Sequence, residues 1–144
     1  MSARNWLPTV LRARNAQEDL AARRVAVARR DAGAAAVQRD EQQARVAALG
    51  RPGTGSVAQF QAELASQQQA AATLAASTNR LMFAEARVAT GLRELTEAAT
   101  ARRTVEKLHE RDQEQQQRSA NDSAQREQDE VSISRHAAVR RAAG

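Results

Sequence analysis

The sequence predicts an all-α protein, a long two-helix antiparallel coiled-coil hairpin whose second helix projects beyond the first. The first reason is composition: Ala, Arg, Gln and Glu dominate the 144 residues, whereas there are one Trp, two Phe and no Tyr, which is typical of coiled coils rather than globular cores. The second is that small and apolar residues recur at alternating steps of three and four. The third is a single Gly- and Pro-containing break at residues 50–55. We expect one coiled-coil domain over residues 1–144.

The first helix is predicted over residues 8–49. Pro8 favours a helix start, because its ring fixes φ near the helical value and its missing N–H is not needed in the first turn. The predicted seam, meaning the row of residues that faces the other helix, consists of Leu11, Arg14, Glu18, Ala21, Val25, Ala28, Ala32, Ala35, Arg39, Gln42, Val46 and Leu49. Leu20, Val27 and Val37 lie off this row and widen the apolar face of the helix.

The break is predicted to be a tight connection. Gly50 can take the left-handed backbone conformation that closes a helix, and Ser56 with Gln59 has the spacing of a capping box for the next one. A short connection between two long amphipathic helices favours an antiparallel hairpin. Reversal of the chain in the middle of the break would place Val10 near Leu95.

The second helix is predicted over residues 56–140. Its predicted seam consists of Phe60, Leu64, Gln67, Ala71, Leu74, Thr78, Leu81, Glu85, Val88, Leu92, Leu95, Ala99, Arg102, Glu106 and His109. Near Ala98 the apolar pattern slips, since Val105 and Leu108 leave this row, and such a slip changes the local winding. Residues 110–129 are almost wholly polar, and an isolated polar helix is marginal. We expect this far part to serve a different partner.

No catalytic, metal or cofactor site is predicted, and the chain is not expected to be an enzyme. His109 and His136 are separated by 27 positions on one helix, so they cannot converge on a metal within one chain. The glycines of the break lack the Lys-Ser/Thr ending and the preceding strand of a phosphate-binding loop. The absence of Cys excludes disulfides and thiol chemistry.

The chain is basic, with 22 Lys and Arg against 17 Asp and Glu and a net charge of +5. Acidic protein surfaces, nucleic acid and anionic lipid are therefore all candidate partners. The Arg pairs at 23/24, 29/30 and 102/103 lack the interleaved aromatic residues of a nucleic-acid surface. No run of residues approaches the length of a membrane span, and no signal-peptide core opens the sequence, so we expect a cytoplasmic protein.

Several features occur in a characteristic order along the chain. An Arg-rich first helix and a Gly-containing turn are followed by Phe60 and Leu64, one turn apart on a long Gln-rich helix. The segment RTVEKLHER at residues 103–111 and the segment QDEV at residues 128–131 precede a basic tail. Taken together, these features resemble the flagellar export protein FliJ family over nearly the whole chain.

The resemblance implies a non-enzymatic protein similar to the central stalk of rotary ATPases. Such a protein docks in the pore of the hexameric export ATPase, promotes its ring assembly and turnover, contacts the export gate membrane protein and helps to cycle export chaperones. It implies export-gate contacts at Phe60 and Leu64, although Gln67 and Ala71 depart from the family pattern at the next two positions. It also implies ATPase-ring contacts, which are Arg103, Leu108, Arg111, Asp129 and Glu130.

The resemblance further implies a place at the cytoplasmic face of the inner membrane, with membrane association only through partners and no nucleic acid. Two alternatives stay open. One is a basic coiled-coil module that binds nucleic acid or acidic scaffold proteins. The other is the equivalent stalk of an injectisome.

Overall fold

A computed structural model of the chain describes residues 5–53 and 55–144, and these form two long helices. Helix α1 spans Leu7–Ala48 and α2 spans Val57–Ala142, with 42 and 86 residues respectively. The described residues contain no strand, so the predicted all-α helical hairpin is confirmed. Pro8 lies in the first turn of α1, where the Val10 N–H donates to the Trp6 carbonyl at 3.0 Å.

The chain divides into two compact units, and both helices contribute to each. The hairpin unit is Asn15–Thr100, and the terminal unit combines Met1–Arg14 with Ala101–Gly144. The hairpin unit contains most of α1, the connection and the first half of α2. The terminal unit contains the start of α1 and the second half of α2.

The seam of α1 follows the prediction in the hairpin unit. The residues with reduced exposure are Glu18, Ala21, Val25, Ala28, Ala32, Ala35, Ala36, Arg39, Gln42 and Val46. Ala21 and Val25 are fully buried. Leu49 was expected to close the row but is exposed, because α1 ends at Ala48.

The seam of α2 differs from the prediction at every second position. Its residues with reduced exposure in the hairpin unit repeat as Gln67, Ala70, Leu74, Ser77, Leu81, Ala84, Val88, Gly91, Leu95 and Ala98, with Thr78 and Ala99 beside them. The most buried residues of α2 are Ser77, Ala84 and Gly91, which are spaced seven residues apart. Ala71, Glu85 and Leu92 are exposed. At these alternate positions the contact uses only Ala, Ser and Gly, each one residue before the predicted residue.

Small residues let the two helices approach closely. A Cβ atom added at Gly91 would lie 3.2 Å from Val25 Cγ2 and 3.7 Å from the Val25 Cα. That distance is tighter than ordinary van der Waals contact, so the position favours Gly despite a cost of about 1 kcal/mol in helix propensity relative to Ala. Gly33, by contrast, has open space around it.

The register of the hairpin also differs from the expected one. Val25 faces Gly91, whereas the expected pairing would place Val25 opposite Arg80. At the end of α1, the Gln67 Nε2 donates to the Gly50 carbonyl at 2.5 Å. The chain therefore does not reverse at residues 52–53. The first turns of α2 run past the last residue of α1 before the two helices meet.

The terminal unit continues the seven-residue pattern. On α1, Leu7 is fully buried and Pro8, Val10, Leu11 and Arg14 are half-buried. On α2 the half-buried residues are Ala101, Arg102, Val105, Glu106, His109 and Asp112. Val105 thus belongs to the observed seam, which keeps its steps of three and four residues through this segment. The expected slip near Ala98 is wrong because it was judged against the predicted seam and not the observed one. Residues 113–142 are helical, and every one is exposed.

Candidate docking surfaces

The connection and the first turns of α2 form an exposed structure that we call the hairpin tip, residues 50–53 and 55–66. Gly50 has a φ of +62°, the left-handed conformation expected after a helix. The predicted capping box is present: the Ser56 N–H donates to Gln59 Oε1, and the Gln59 N–H donates to Ser56 Oγ, both at 3.2 Å. These bonds satisfy two of the N–H groups that a helix start leaves without partners.

The backbone of the connection folds back along α2. The Gly53 N–H donates to Glu63 Oε2 at 2.7 Å, and the Gln67 amide holds Gly50 from the same helix. Glu63 lies on the part of α2 that continues past α1, and Gln67 is the first residue of the α2 seam. They fix the connection to one side of the hairpin tip and leave its other sides to solvent.

Phe60 and Leu64 lie one turn apart on this exposed part of α2. Their exposed fractions are 46% and 39%, so neither fills the end of the coiled coil, although both were placed in the predicted seam. Gln67 is half-buried and holds the connection, and Ala71 is exposed outside the seam. The structure therefore brings Phe60 and Leu64 together as a small apolar patch.

The other residues singled out in the sequence belong to the terminal unit. Arg103 and Arg111 are exposed, as is Lys107 between them, and their spacing of four places all three on one face of α2. Leu108 is 42% exposed and flanks the seam. This face carries a basic stripe with one apolar neighbour.

Asp129 and Glu130 are also exposed, but the structure does not bring them to the basic stripe. They follow Arg111 by 18 and 19 residues on one continuous helix, which corresponds to roughly 27 Å at the rise of an α-helix. One partner could contact both groups only by following the helix over five turns.

Several polar side chains near the basic stripe form pairs along α2. Arg102 Nη1 donates to Glu106 Oε2 at 2.6 Å in a half-buried pair. Further along, Gln116 Nε2 donates to Asp112 Oδ2 at 3.1 Å, and Arg118 lies 4.0 Å from Glu114 in an exposed pair. Exposed pairs such as Arg118 with Glu114 contribute little stability, so these two side chains can reorient toward a partner.

The described residues contain no group of three or more His, Cys, Asp and Glu that could hold a metal ion. His109 lies in the terminal seam with a buried Nδ1 atom that lacks a hydrogen-bond partner, and His136 is exposed further along α2. Within residues 5–53 and 55–144, no helix is long and apolar enough to cross a membrane.

One surface was not predicted as a site. A groove of about 580 Å³ runs along one side of the hairpin unit, with Ala28 and Gly91 among its lining residues. Its other apolar lining includes Val27 and Phe83, which are 51% and 71% exposed. The sequence feature that pointed to this groove was Val27, an apolar residue of α1 that lies outside the predicted seam. Phe83 gave no such signal because α2 was assigned the wrong seam.

A family model described as flagellar FliJ protein matches residues 4–141. The chain belongs to the flagellar FliJ family. No curated protein and no solved structure gives a significant match. Membership in the FliJ family makes this chain a coiled-coil protein related to flagellar export, and it connects the chain with flagellar export components in general.

Proposed function

We propose that this chain is a non-enzymatic stalk of the flagellar export ATPase, which promotes assembly of the ATPase ring and its turnover. In this role it links the ATPase to the export gate and to export chaperones at the cytoplasmic face of the inner membrane. The observation that carries the proposal is the FliJ-family match over residues 4–141. The match to a flagellar family also favours the flagellar system over an injectisome.

The terminal unit supports the ATPase part of the proposal. A helix that enters a ring must present its whole circumference to the ring, and residues 113–142 of α2 are exposed on all sides. The same unit carries the basic stripe of Arg103, Lys107 and Arg111. Charged residues at this surface would steer the ring onto the helix and set its register.

The hairpin tip supports the gate part of the proposal. Phe60 and Leu64 are exposed apolar neighbours on a helix segment that α1 does not cover. A few side chains that become fully buried carry most of the binding energy of an interface, and an exposed Phe with an apolar neighbour can supply such an anchor. The connection is held to α2 by Glu63 and Gln67, so the patch is ordered before binding and the ordering cost of docking is low.

The test measures ATP hydrolysis by the cognate export ATPase while the full chain is titrated in. Stimulation is expected to saturate near one chain per hexamer. Arg103→Glu with Arg111→Glu should lower the stimulation at least tenfold, because two charges on the contacting face change sign and about 1.4 kcal/mol of lost binding corresponds to a factor of ten.

The matched control carries the same two changes on α1, Arg29→Glu with Arg30→Glu, where both residues are exposed. This variant should stimulate the ATPase as the unchanged chain does. Equal loss in both variants would show a general charge effect instead of a contact. Failure of the unchanged chain to stimulate the ATPase would overturn the proposal.

A further inference from the structure

The hairpin unit carries an apolar strip that the proposed ATPase and gate contacts do not use. Leu20 and Val27 are 47% and 51% exposed and lie seven residues apart on one side of α1. Phe83, which lines the same groove as Val27, is 71% exposed. Single exposed apolar residues are ordinary on protein surfaces, but these line one side of one helix pair.

The charges along this groove follow the same pattern on both helices. On α1, Arg24 precedes Val27 by three residues and Asp31 follows it by four. On α2, Arg87 and Glu94 stand at the same two spacings around Thr90. These four charged residues line the groove together with a fifth, Arg23, at its outer side, and none of the four forms an ion pair within 4.0 Å with another described residue.

The two midpoints of this pattern lie close to one level of the hairpin unit. Val25 faces Gly91, so Val27 is level with residue 89 of the antiparallel pair, one residue or about 1.5 Å from Thr90. A two-fold axis at that level, perpendicular to the helices, would reverse the direction of each helix. It would therefore set every Arg of the pattern opposite an acidic residue.

We propose that this groove is a self-association surface, at which two copies of the chain pack antiparallel about a two-fold axis near Val27. The axis then passes between residues 27 and 28, which sets Arg24 opposite the second copy's Asp31 and leaves Val27 about one residue from the second copy's Val27. On α2, Arg87 faces the second copy's Glu94. Such an isologous contact requires a patch that is complementary to itself. Phe83 and Leu20 are covered in the dimer.

The sign pattern favours a second copy over an acidic partner helix. An acidic helix in the groove would meet Asp31 and Glu94 as well as the Arg residues, and like charges in an interface oppose binding. A partner that fits must alternate in sign with the same spacing. A second copy of the chain does so by symmetry.

The first test uses the absence of Cys from the chain. In Val27→Cys the single thiol would lie close to the two-fold axis and to its symmetry mate, so mild oxidation with diamide should link most chains into disulfide-bonded dimers. The control is Val37→Cys, whose original side chain is similarly exposed at 57% and does not line the groove. The initial rate for Val27→Cys should be at least about tenfold higher, and equal rates would overturn the proposal.

The second test reverses charges and measures dimerisation by sedimentation equilibrium. Arg24→Asp sets like charges opposite each other at two symmetry-related places, and Asp31→Arg does the same. Each single variant should weaken dimerisation about tenfold, whereas the double variant should return to within about twofold of the unchanged chain, since the pairs are restored with exchanged sign. No recovery in the double variant would overturn the pairing.

The unchanged full chain supplies the remaining comparison. It should form dimers at a concentration on the order of 100 μM, as expected for a small contact. A purely monomeric chain at that concentration would overturn the proposal. Binding of an acidic helical peptide at Phe83, without crosslinking at Val27→Cys, would assign the groove to another partner and would likewise overturn it.

Discussion

Phe60 and Leu64, the gate contacts that we propose, are placed so that their loss should affect binding more than folding. Both are exposed, and the connection is held by other side chains, Glu63 and Gln67, through their bonds to Gly53 and Gly50. Truncation to Ala removes apolar contact area while it keeps good helix propensity. The cost to folding should therefore be small, and the cost to an interface large.

We expect Phe60→Ala with Leu64→Ala to weaken docking to the export gate protein at least tenfold while helix content stays nearly unchanged. Binding to the gate protein measured by pull-down, together with circular dichroism, checks both halves of this statement. Phe83→Ala is the matched control, because it removes an exposed Phe from the same helix but not from the hairpin tip. Loss of helicity in the double variant would assign Phe60 and Leu64 to packing instead.

At the scale of the helices, the seam of α2 depends on small residues, and this yields a sharp comparison. Ala84 is 8% exposed, whereas Glu85 is exposed although it was placed in the predicted seam. Ala84→Leu should destabilise the hairpin by about 1–3 kcal/mol, because overpacking forces closely approaching helices apart. Glu85→Leu should change stability by less than about 0.5 kcal/mol. Urea unfolding followed by circular dichroism measures both, and similar losses would contradict the observed seam.

The two helices differ in how much of their packing could be predicted from sequence. On α1 the residues with steps of three and four included Ala21 and Val25, and the structure confirms them as the buried row. On α2 the predicted row and the observed row share every seventh residue and differ at the positions between. Leu64 and Leu92 lie in the predicted row, and their size favoured it over the observed one. Residue bulk normally marks a core, but a contact as close as that of Gly91 with Val25 excludes bulk.

The connection illustrates a second limit of prediction. The capping box of Ser56 and Gln59 and the left-handed Gly50 were predicted and are present, because these features depend on residues close in sequence. The register was wrong because it depends on long-range bonds, such as that between Gly53 and Glu63. Phe60 and Leu64 lie on the first turns of α2, which α1 does not cover in the observed register. Their exposure could therefore not be predicted without knowing that register.

At the scale of the whole molecule, net charge bears on the alternative that the chain binds nucleic acid. The charge of +5 is the small difference between 22 basic and 17 acidic residues. Acidic residues such as Asp31, Glu94 and Glu114 occur on the same helices as the Arg residues. Aromatic residues make up 2% of the chain, so stacking with bases can contribute little.

Binding to duplex DNA should therefore be nonspecific and should fall steeply with salt, since it would depend on release of counterions from phosphates. At about 0.15 M salt, where the screening length is about 8 Å, added duplex DNA should leave stimulation of the export ATPase unchanged. A titration of DNA into the ATPase assay at two salt concentrations measures this directly, with heparin as a polyanion control. Competition between DNA and the ATPase at the higher salt concentration would show that the basic stripe of Arg103, Lys107 and Arg111 binds nucleic acid. That result would contradict the proposal that the terminal unit acts as the ATPase stalk.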